Sequence, residues 1–341
     1  MSRKSISGTK WKNGADSPVL FFIDDLSNRW LDKNEDGLIQ TEEDYGFLGF
    51  NPDGVISFLE SEILSSNLLV KTTFFAVTGA MTPISFGLED INHSFPMNFS
   101  KESCKFFRAL HNDDRFEIAY HGTNHGLESK RSEEFIQEWD SFKSLEEALR
   151  ITEKGRSIFR DTVDEFPKGG KYCGYRSNSF SDESIDTSGF TWWCRHYNRA
   201  AVNGSEDAQY GGSDRDPISA FNYKVFGENG VIDIPTTIPG SSLNSVFTSR
   251  RGLRGALRKL LKPVLLRWKL RKIKYLLKNN LIISIQEHIS PTRGDGRRQT
   301  PNIFDDIDSL KAIFKYLKNK NVWYCTGSEL ADWINEEASC R

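Results

Sequence analysis

Val19-Leu20-Phe21-Phe22-Ile23-Asp24-Asp25 is an unbroken apolar run that stops on two adjacent acids. A short continuous run of β-branched, aliphatic and aromatic residues reads as a strand buried on both faces, the kind found in covered parallel sheets. Comparable runs recur at Val70–Val77, Phe116–Tyr120, Lys171–Tyr175, Phe190–Cys194, Val231–Ile234, Leu281–Ile285 and Val322–Cys325. Helical patterns lie between several of them, at Ser57–Ser66, Lys101–His111, Ser132–Val163 and Asp305–Lys318. Strand alternating with helix predicts an α/β chain, here an irregular (β/α) barrel with seven or eight parallel strands. The 341 residues suit one barrel domain, 1–341, with insertions at 32–43 and 250–280. Two connections, Thr78–Ser100 and Gly204–Asp216, are long for a barrel, and long loops there serve either as binding elements or as tolerated insertions.

A hydrophobic fraction of 38% and an aromatic fraction of 12% are ordinary for a folded chain and exclude bulk disorder. Met1–Pro18 lacks the apolar centre of a signal peptide, and no run is long enough to span a bilayer, so a cytoplasmic protein is expected. The five cysteines are odd in number, widely spaced and without a CxxC, which fits reduced thiols. The net charge of −2 conceals an asymmetry: 250–286 is rich in Lys and Arg and holds no acid, which leaves the rest acidic. That argues for one local cationic element and against a nucleic-acid binder.

The acids of the opening stretch fall where barrel enzymes carry their chemistry, at the carboxyl end of a strand. An acid pair there serves equally well as a helix cap. The second signal is His121-Gly122-Thr123-Asn124-His125, directly after the third strand. On a helical turn, residues four apart share a face, so both imidazoles reach one cation. Two imidazoles and one carboxylate suit zinc or a similar divalent ion and leave room for water and substrate. Arg176 follows the fourth strand and His288 the seventh, again at the carboxyl edge. Each has a bland alternative, a surface charge or a loop histidine, but four polar signals at one rim point to a site.

These motifs in this order resemble the polysaccharide deacetylase, or NodB-homology, superfamily of carbohydrate esterases. Phe22-Ile23-Asp24-Asp25 is similar to its TFDD segment, His121 to His125 to its HTxxH-like segment, Tyr175-Arg176 to its arginine motif, and Ile285 to His288 to its late histidine. Thr72-Thr73-Phe74-Phe75 resembles its ATFF strand, and the match runs from about Val19 to Trp333. The arginine motif here lacks the family's prolines, and no clear DxxDW segment is present. The resemblance implies Asp24 as general base, Asp25, His121 and His125 as metal ligands, Arg176 as the residue orienting the base, and His288 as general acid. It implies hydrolysis of an N-acetyl group on a sugar, with the nearest likeness to deacetylases of lipopolysaccharide O-antigen synthesis. Trp193 either lines the acetyl pocket or belongs to the core.

Asp32, Asn34, Asp36, Leu38 and Glu43 fall at oxygen-ligand positions of a twelve-residue calcium loop with Gly37 at its turn, so calcium is expected at 32–43, the alternative being an acidic turn with no ion bound. The segment 250–280 interleaves leucines with Lys and Arg around Trp268 and Pro263; it reads either as an element for peripheral contact with an anionic membrane or as a barrel helix with a solvated basic face. Pro263 is expected to break or kink it. Arg293, after His288, is a candidate grip for an anionic group of the substrate. The substrate read from all this is an acetylated carbohydrate, a polysaccharide or its lipid-linked or nucleotide-linked precursor. The alternatives are hydrolysis of a non-sugar amide on the same scaffold, or a non-catalytic carbohydrate-binding module.

Overall fold

The structure is a computed structural model that describes residues 10–31, 45–46, 54–82, 92–127, 134–195, 221–238, 253–290, 299 and 301–339. In chain order the strands are β1 (Ser17–Leu26), β2 (Asn28–Leu31), β3 (Tyr45–Gly46), β4 (Thr72–Val77), β5 (Asn92–Phe95), β6 (Phe116–Gly122), β7 (Gly126–Leu127), β8 (Ile136–Gln137), β9 (Gly169–Lys171), β10 (Trp192–Cys194), β11 (Lys224–Phe226), β12 (Val231–Asp233), β13 (Ile283–His288) and β14 (Val322–Tyr324). The α-helices are α1 (Val55–Glu62), α2 (Lys101–His111), α3 (Leu145–Val163), α4 (Ser179–Thr187), α5 (Leu253–Lys278), α6 (Ile303–Leu317) and α7 (Gly327–Ser339).

One sheet organises the chain, in the order β11-β12-β10-β9-β6-β4-β1-β13, with β14 also paired to β1. Among the described residues it has nine strands, all parallel to their neighbours except β11, which is antiparallel on β12. The expected parallel α/β architecture is therefore present. The barrel does not close as a continuous ladder. Among the described residues the gap is crossed where the chain after β12 touches β13, through an isolated parallel bridge between Ile238 and Ile285 and the N–H groups of Thr237 and Ile238, which donate to Ser284 O at 3.2 and 2.9 Å; Ile282 N–H also donates to Phe221 O at 3.3 Å.

Alternation along β1 assigns its two faces. Val19, Phe21 and Ile23 join Phe74, Ile118, Ile283 and the helical residues Leu59, Phe107, Leu310 and Phe314 in the outer core. Leu20 and Phe22 turn the other way, onto Phe75, Trp192, Ile232 and Ile282. Every residue of β1 is buried, because helices cover one face and the remaining strands the other.

Three local expectations change. Lys171–Tyr175 is not a strand throughout: β9 ends at Lys171, and Cys173–Tyr175 is a single 3-10 turn with Gly174 at φ 55° and Tyr175 at φ 57°. The long helix expected from Ser132 starts only at Leu145, where the Ser144 side chain accepts from Glu147 N. The residues before it form the β7–β8 hairpin and a 3-10 turn at Glu138–Asp140, since Trp139 is drawn into the core. Helix α5 runs on through Pro263 and is not broken there. That proline is exposed, on the side of the helix where a carbonyl left without an N–H partner is tolerated. The inner half of α5 docks through Ile273 and Leu276, whereas Leu260 and Val264 stay 78% and 64% exposed. Among the described residues no helix is long and apolar enough to cross a membrane. The residues expected to bind calcium, Asp32, Asn34, Asp36, Leu38 and Glu43, together with Arg293 and the 204–216 loop, lie outside the described residues.

Helix α3 approaches the end of β6 at Gly155, where an added Cβ would lie 2.1 Å from Tyr120 Oη and 2.5 Å from Thr123 Oγ1. Thr123 in turn donates to Ile151 O at 2.9 Å, so helix and loop are laced together. Gly155→Ala is expected to lower stability by about 1–3 kcal/mol through overpacking, despite alanine's better helix propensity. Chemical denaturation measures it; an unchanged or raised midpoint would show that the approach is not tight.

Candidate metal centre

Asp24 continues the inward alternation of Leu20 and Phe22, so a regular strand would send Asp25 to the opposite face. Instead Asp25 adopts φ 69°, and the register between β1 and β4 shifts between Ile23 and Leu26. This bulge keeps both acids at one end of the barrel, as bulges at barrel rims do. Asp25 Oδ1 then lies 3.3 Å from His125 Nε2 and 3.7 Å from His121 Nε2, all three side chains being buried.

The two histidines are not on a helical turn as the spacing suggested. His121 is the penultimate residue of β6, and His125 lies in the following loop at φ 71°. The loop is folded around a residue the sequence reading did not single out. Buried Glu138 accepts the backbone N–H groups of Thr123 at 2.8 Å, Asn124 at 2.6 Å and His125 at 2.8 Å. A Cβ on Gly122, at φ 131°, would come within 3.0 Å of Glu138 Oε2, so the carboxylate needs glycine there. Burial raises the Glu138 pKa above the ordinary carboxylate value, although the three amides oppose it. His121 Nδ1 bonds Lys171 O at 2.9 Å, which turns Nε2 toward Asp25. Burial lowers the His121 pKa to about 4, so at neutral pH the ring is uncharged and offers a lone pair.

Each acid has one oxygen tied and one untied. Ser290 Oγ donates to Asp25 Oδ2 at 3.1 Å, while Asp25 Oδ1 accepts no hydrogen bond. Asp24 Oδ2 is bound by Lys171 Nζ and by Gln286 Nε2 at 2.8 Å, while Asp24 Oδ1 has no partner. Burial alone would raise both acids. For Asp24 the nearby Lys171, His121 and His288 outweigh it, and for Asp25 the three histidines led by His125 hold it well below the usual range. His288 ends β13 opposite Asp24 in the register, its Nε2 3.7 Å from Asp24 Oδ2 and its Nδ1 bonded to Pro301 O at 2.7 Å.

Untied, buried Asp25 Oδ1 facing two imidazole nitrogens fits a divalent cation, since nitrogen and carboxylate oxygen are the donors such ions take. His125 Nδ1 is likewise buried and without a bond. Cys173 also lies beside the pair, with donor atoms of His121, His125 and Cys173 all within 4.8 Å of one another. Its thiol donates to His121 O at 2.6 Å, and burial pushes its pKa well above the ordinary value, so Asp25 is the better anionic donor.

Two expected residues are elsewhere. Arg176 is exposed after the 3-10 turn, and the cation that meets Asp24 is Lys171. Trp193 is wholly buried among Trp139, Tyr172 and Phe190, with ring centroids 5.3, 5.3 and 4.9 Å away. It is core behind the site and shows no surface to a substrate.

Comparison with solved structures bears on this arrangement. A candidate polysaccharide deacetylase from Mycobacterium smegmatis superposes with a TM-score of 0.53 at 14% identity, over 99% of this chain and 96% of that one. The chain has a polysaccharide-deacetylase-like fold. A second candidate deacetylase, from Pseudomonas aeruginosa PAO1, gives 0.49 at 13% identity over 95% and 92% of the two chains. A CE4 family pseudoenzyme from Bacillus anthracis gives 0.41 at 12% over 96% and 67%. These two looser likenesses add nothing to the statement about the fold. Neither a family model nor a curated protein matches the chain in sequence.

On this deacetylase-like scaffold the histidine loop depends on Glu138. Glu138→Ala leaves three amides without an acceptor and is expected to weaken zinc binding roughly 10–100-fold, the usual cost of losing an outer-shell partner. A competitive zinc titration on folded protein measures it, and wild-type affinity in the variant would refute the dependence.

Proposed function

We propose that this protein is a metal-dependent hydrolase that removes an N-acetyl group from a sugar, in a polysaccharide or in its lipid-linked or nucleotide-linked precursor. The observation that carries the reading is the division of the acid pair: the untied Asp25 oxygen faces His121 and His125, while Asp24, held through Oδ2 with His288 Nε2 3.7 Å from that oxygen, keeps Oδ1 untied. Asp25, His121 and His125 would hold the ion, with zinc the best match to two nitrogens and one oxygen. When bound, such an ion supplies Lewis acidity that polarises an acyl carbonyl and lowers the pKa of water.

The remaining chemistry belongs to the side chains. Asp24, ionised and tied by one oxygen only, accepts the proton of the attacking water at Oδ1. His288, oriented through its Nδ1 bond to Pro301 O, keeps Nε2 for protonating the departing amine. The fold likeness to a candidate deacetylase supports the acyl-transfer reading, and the sugar preference rests on the sequence resemblance. Calcium at 32–43 is part of the proposal on the residue pattern alone.

His121→Ala or His125→Ala should lose bound zinc and acetate release together. Asp24→Asn should keep the metal and lose on the order of a hundred- to ten-thousand-fold in turnover. Metal content and acetate release from N-acetyl sugars, measured on the same preparations, decide this. An Asp24→Asn protein as active as wild type would sink the assignment, and hydrolysis of simple amides but not of N-acetyl sugars would favour the non-sugar alternative.

Peripheral contact with an anionic membrane fits a lipid-linked substrate. On α5 the exposed Leu260 and Val264 share a face with the exposed Arg267 and Arg271, and no acid occurs in 250–286. Wild type is expected to float with vesicles of acidic phospholipid and to release from them as salt rises, because the attraction of exposed charge is screened. Leu260→Glu with Val264→Glu should abolish flotation. Equal flotation of wild type and the double variant would reject membrane docking.

A further inference from the structure

We infer that Lys171, and not Arg176, is the positioning residue that aims the Asp24 carboxylate for proton transfer; this rests on the hydrolase reading above. Lys171 is completely buried, a state that a lysine reaches only with a partner for its charge. Its ammonium binds Asp24 Oδ2 and lies 4.2 Å from the ring centroid of Tyr175 and 5.4 Å from that of Phe75. Gln286 Nε2 reaches the same oxygen at 2.8 Å. The Lys171 carbonyl meanwhile accepts from His121 Nδ1, so one residue at the end of β9 sets both the base and a metal-facing imidazole.

The choice of lysine has a consequence. A guanidinium presents a planar fork that engages both oxygens of a carboxylate, whereas an ammonium is a point charge that can hold one. With Lys171 and Gln286 both on Oδ2, Asp24 is locked in rotation while Oδ1 stays open for the proton. Because β9 stops at Lys171 and the chain then turns through Gly174 and Tyr175, both in left-handed conformation, Arg176 is carried to the exposed side.

The test is steady-state acetate release, with metal content, for wild type, Lys171→Met, Lys171→Ala and the double variant Asp24→Asn with Lys171→Met. Lys171→Met should lose about a hundredfold in kcat, the scale of one general-base contribution, with KM and bound zinc unchanged. Lys171→Ala should recover part of its kcat in added ethylamine, and the recovery should saturate. The double variant removes both buried charges, so it remains interpretable if Lys171→Met folds poorly. If Lys171 works through Asp24, the double variant is no slower than Asp24→Asn alone. Wild-type kcat in Lys171→Met, equal loss in Arg176→Met, or multiplied losses in the double variant would each overturn the inference. A wild-type protein that binds zinc but releases no acetate from any N-acetyl sugar would overturn the hydrolase reading and this inference together.

Discussion

Two carboxylates, adjacent in sequence and both shut away from water, are the constraint around which this molecule is arranged. Ionised acids are costly to bury, and each needs a compensating charge or donor. Asp24 meets Lys171, Gln286 and the edge of His288, and Asp25 meets Ser290 and two imidazoles. These partners come from β9, β13, β6 and the loops after them, so three strand ends converge on a dipeptide of β1.

The same constraint explains the irregular backbone around the pair. A flat strand would part the acids, and the left-handed Asp25 brings them together. A flat loop after β6 would leave three amides unserved, and buried Glu138 serves all three while holding His125 at its own left-handed angle. Asp25 and His125 persist in left-handed conformation because the surrounding bonds over-determine them. The core beneath is correspondingly rigid, with Trp139, Tyr172, Phe190 and Trp193 packed ring on ring behind the histidine strand.

The sheet is irregular beside β13. Among the described residues the ladder there shrinks to one bridge, Ile238 with Ile285, held by bonds between Thr237 and Ser284. Loops tolerate change that strands do not, so parallel strands preserve a fold while the segments that connect them vary. The overlap with a candidate deacetylase at 14% identity shows the fold retained with most side chains replaced.

The sequence by itself determined most of the parallel strands of the central sheet and which acids and histidines follow them, because buried parallel strands are written as continuous apolar runs and the residues that end those runs lie at one edge. Val19–Ile23, Val70–Val77 and Phe116–Tyr120 are legible in this way, as are Asp24, Asp25, His121, His125 and His288 beside them. The Ser144-Leu145-Glu146-Glu147 cap was also legible and would have shortened the overlong helix. Only the tertiary structure decided that Glu138 folds the histidine loop, that Trp193 is core, and that Lys171 displaces Arg176 at Asp24. A glutamate fifteen residues from Thr123 and a lysine 147 from Asp24 carry no local pattern. Their roles arise from which strand ends become neighbours and from a single turn at Gly174 and Tyr175, and neither periodicity nor motif spacing encodes where that turn aims the chain.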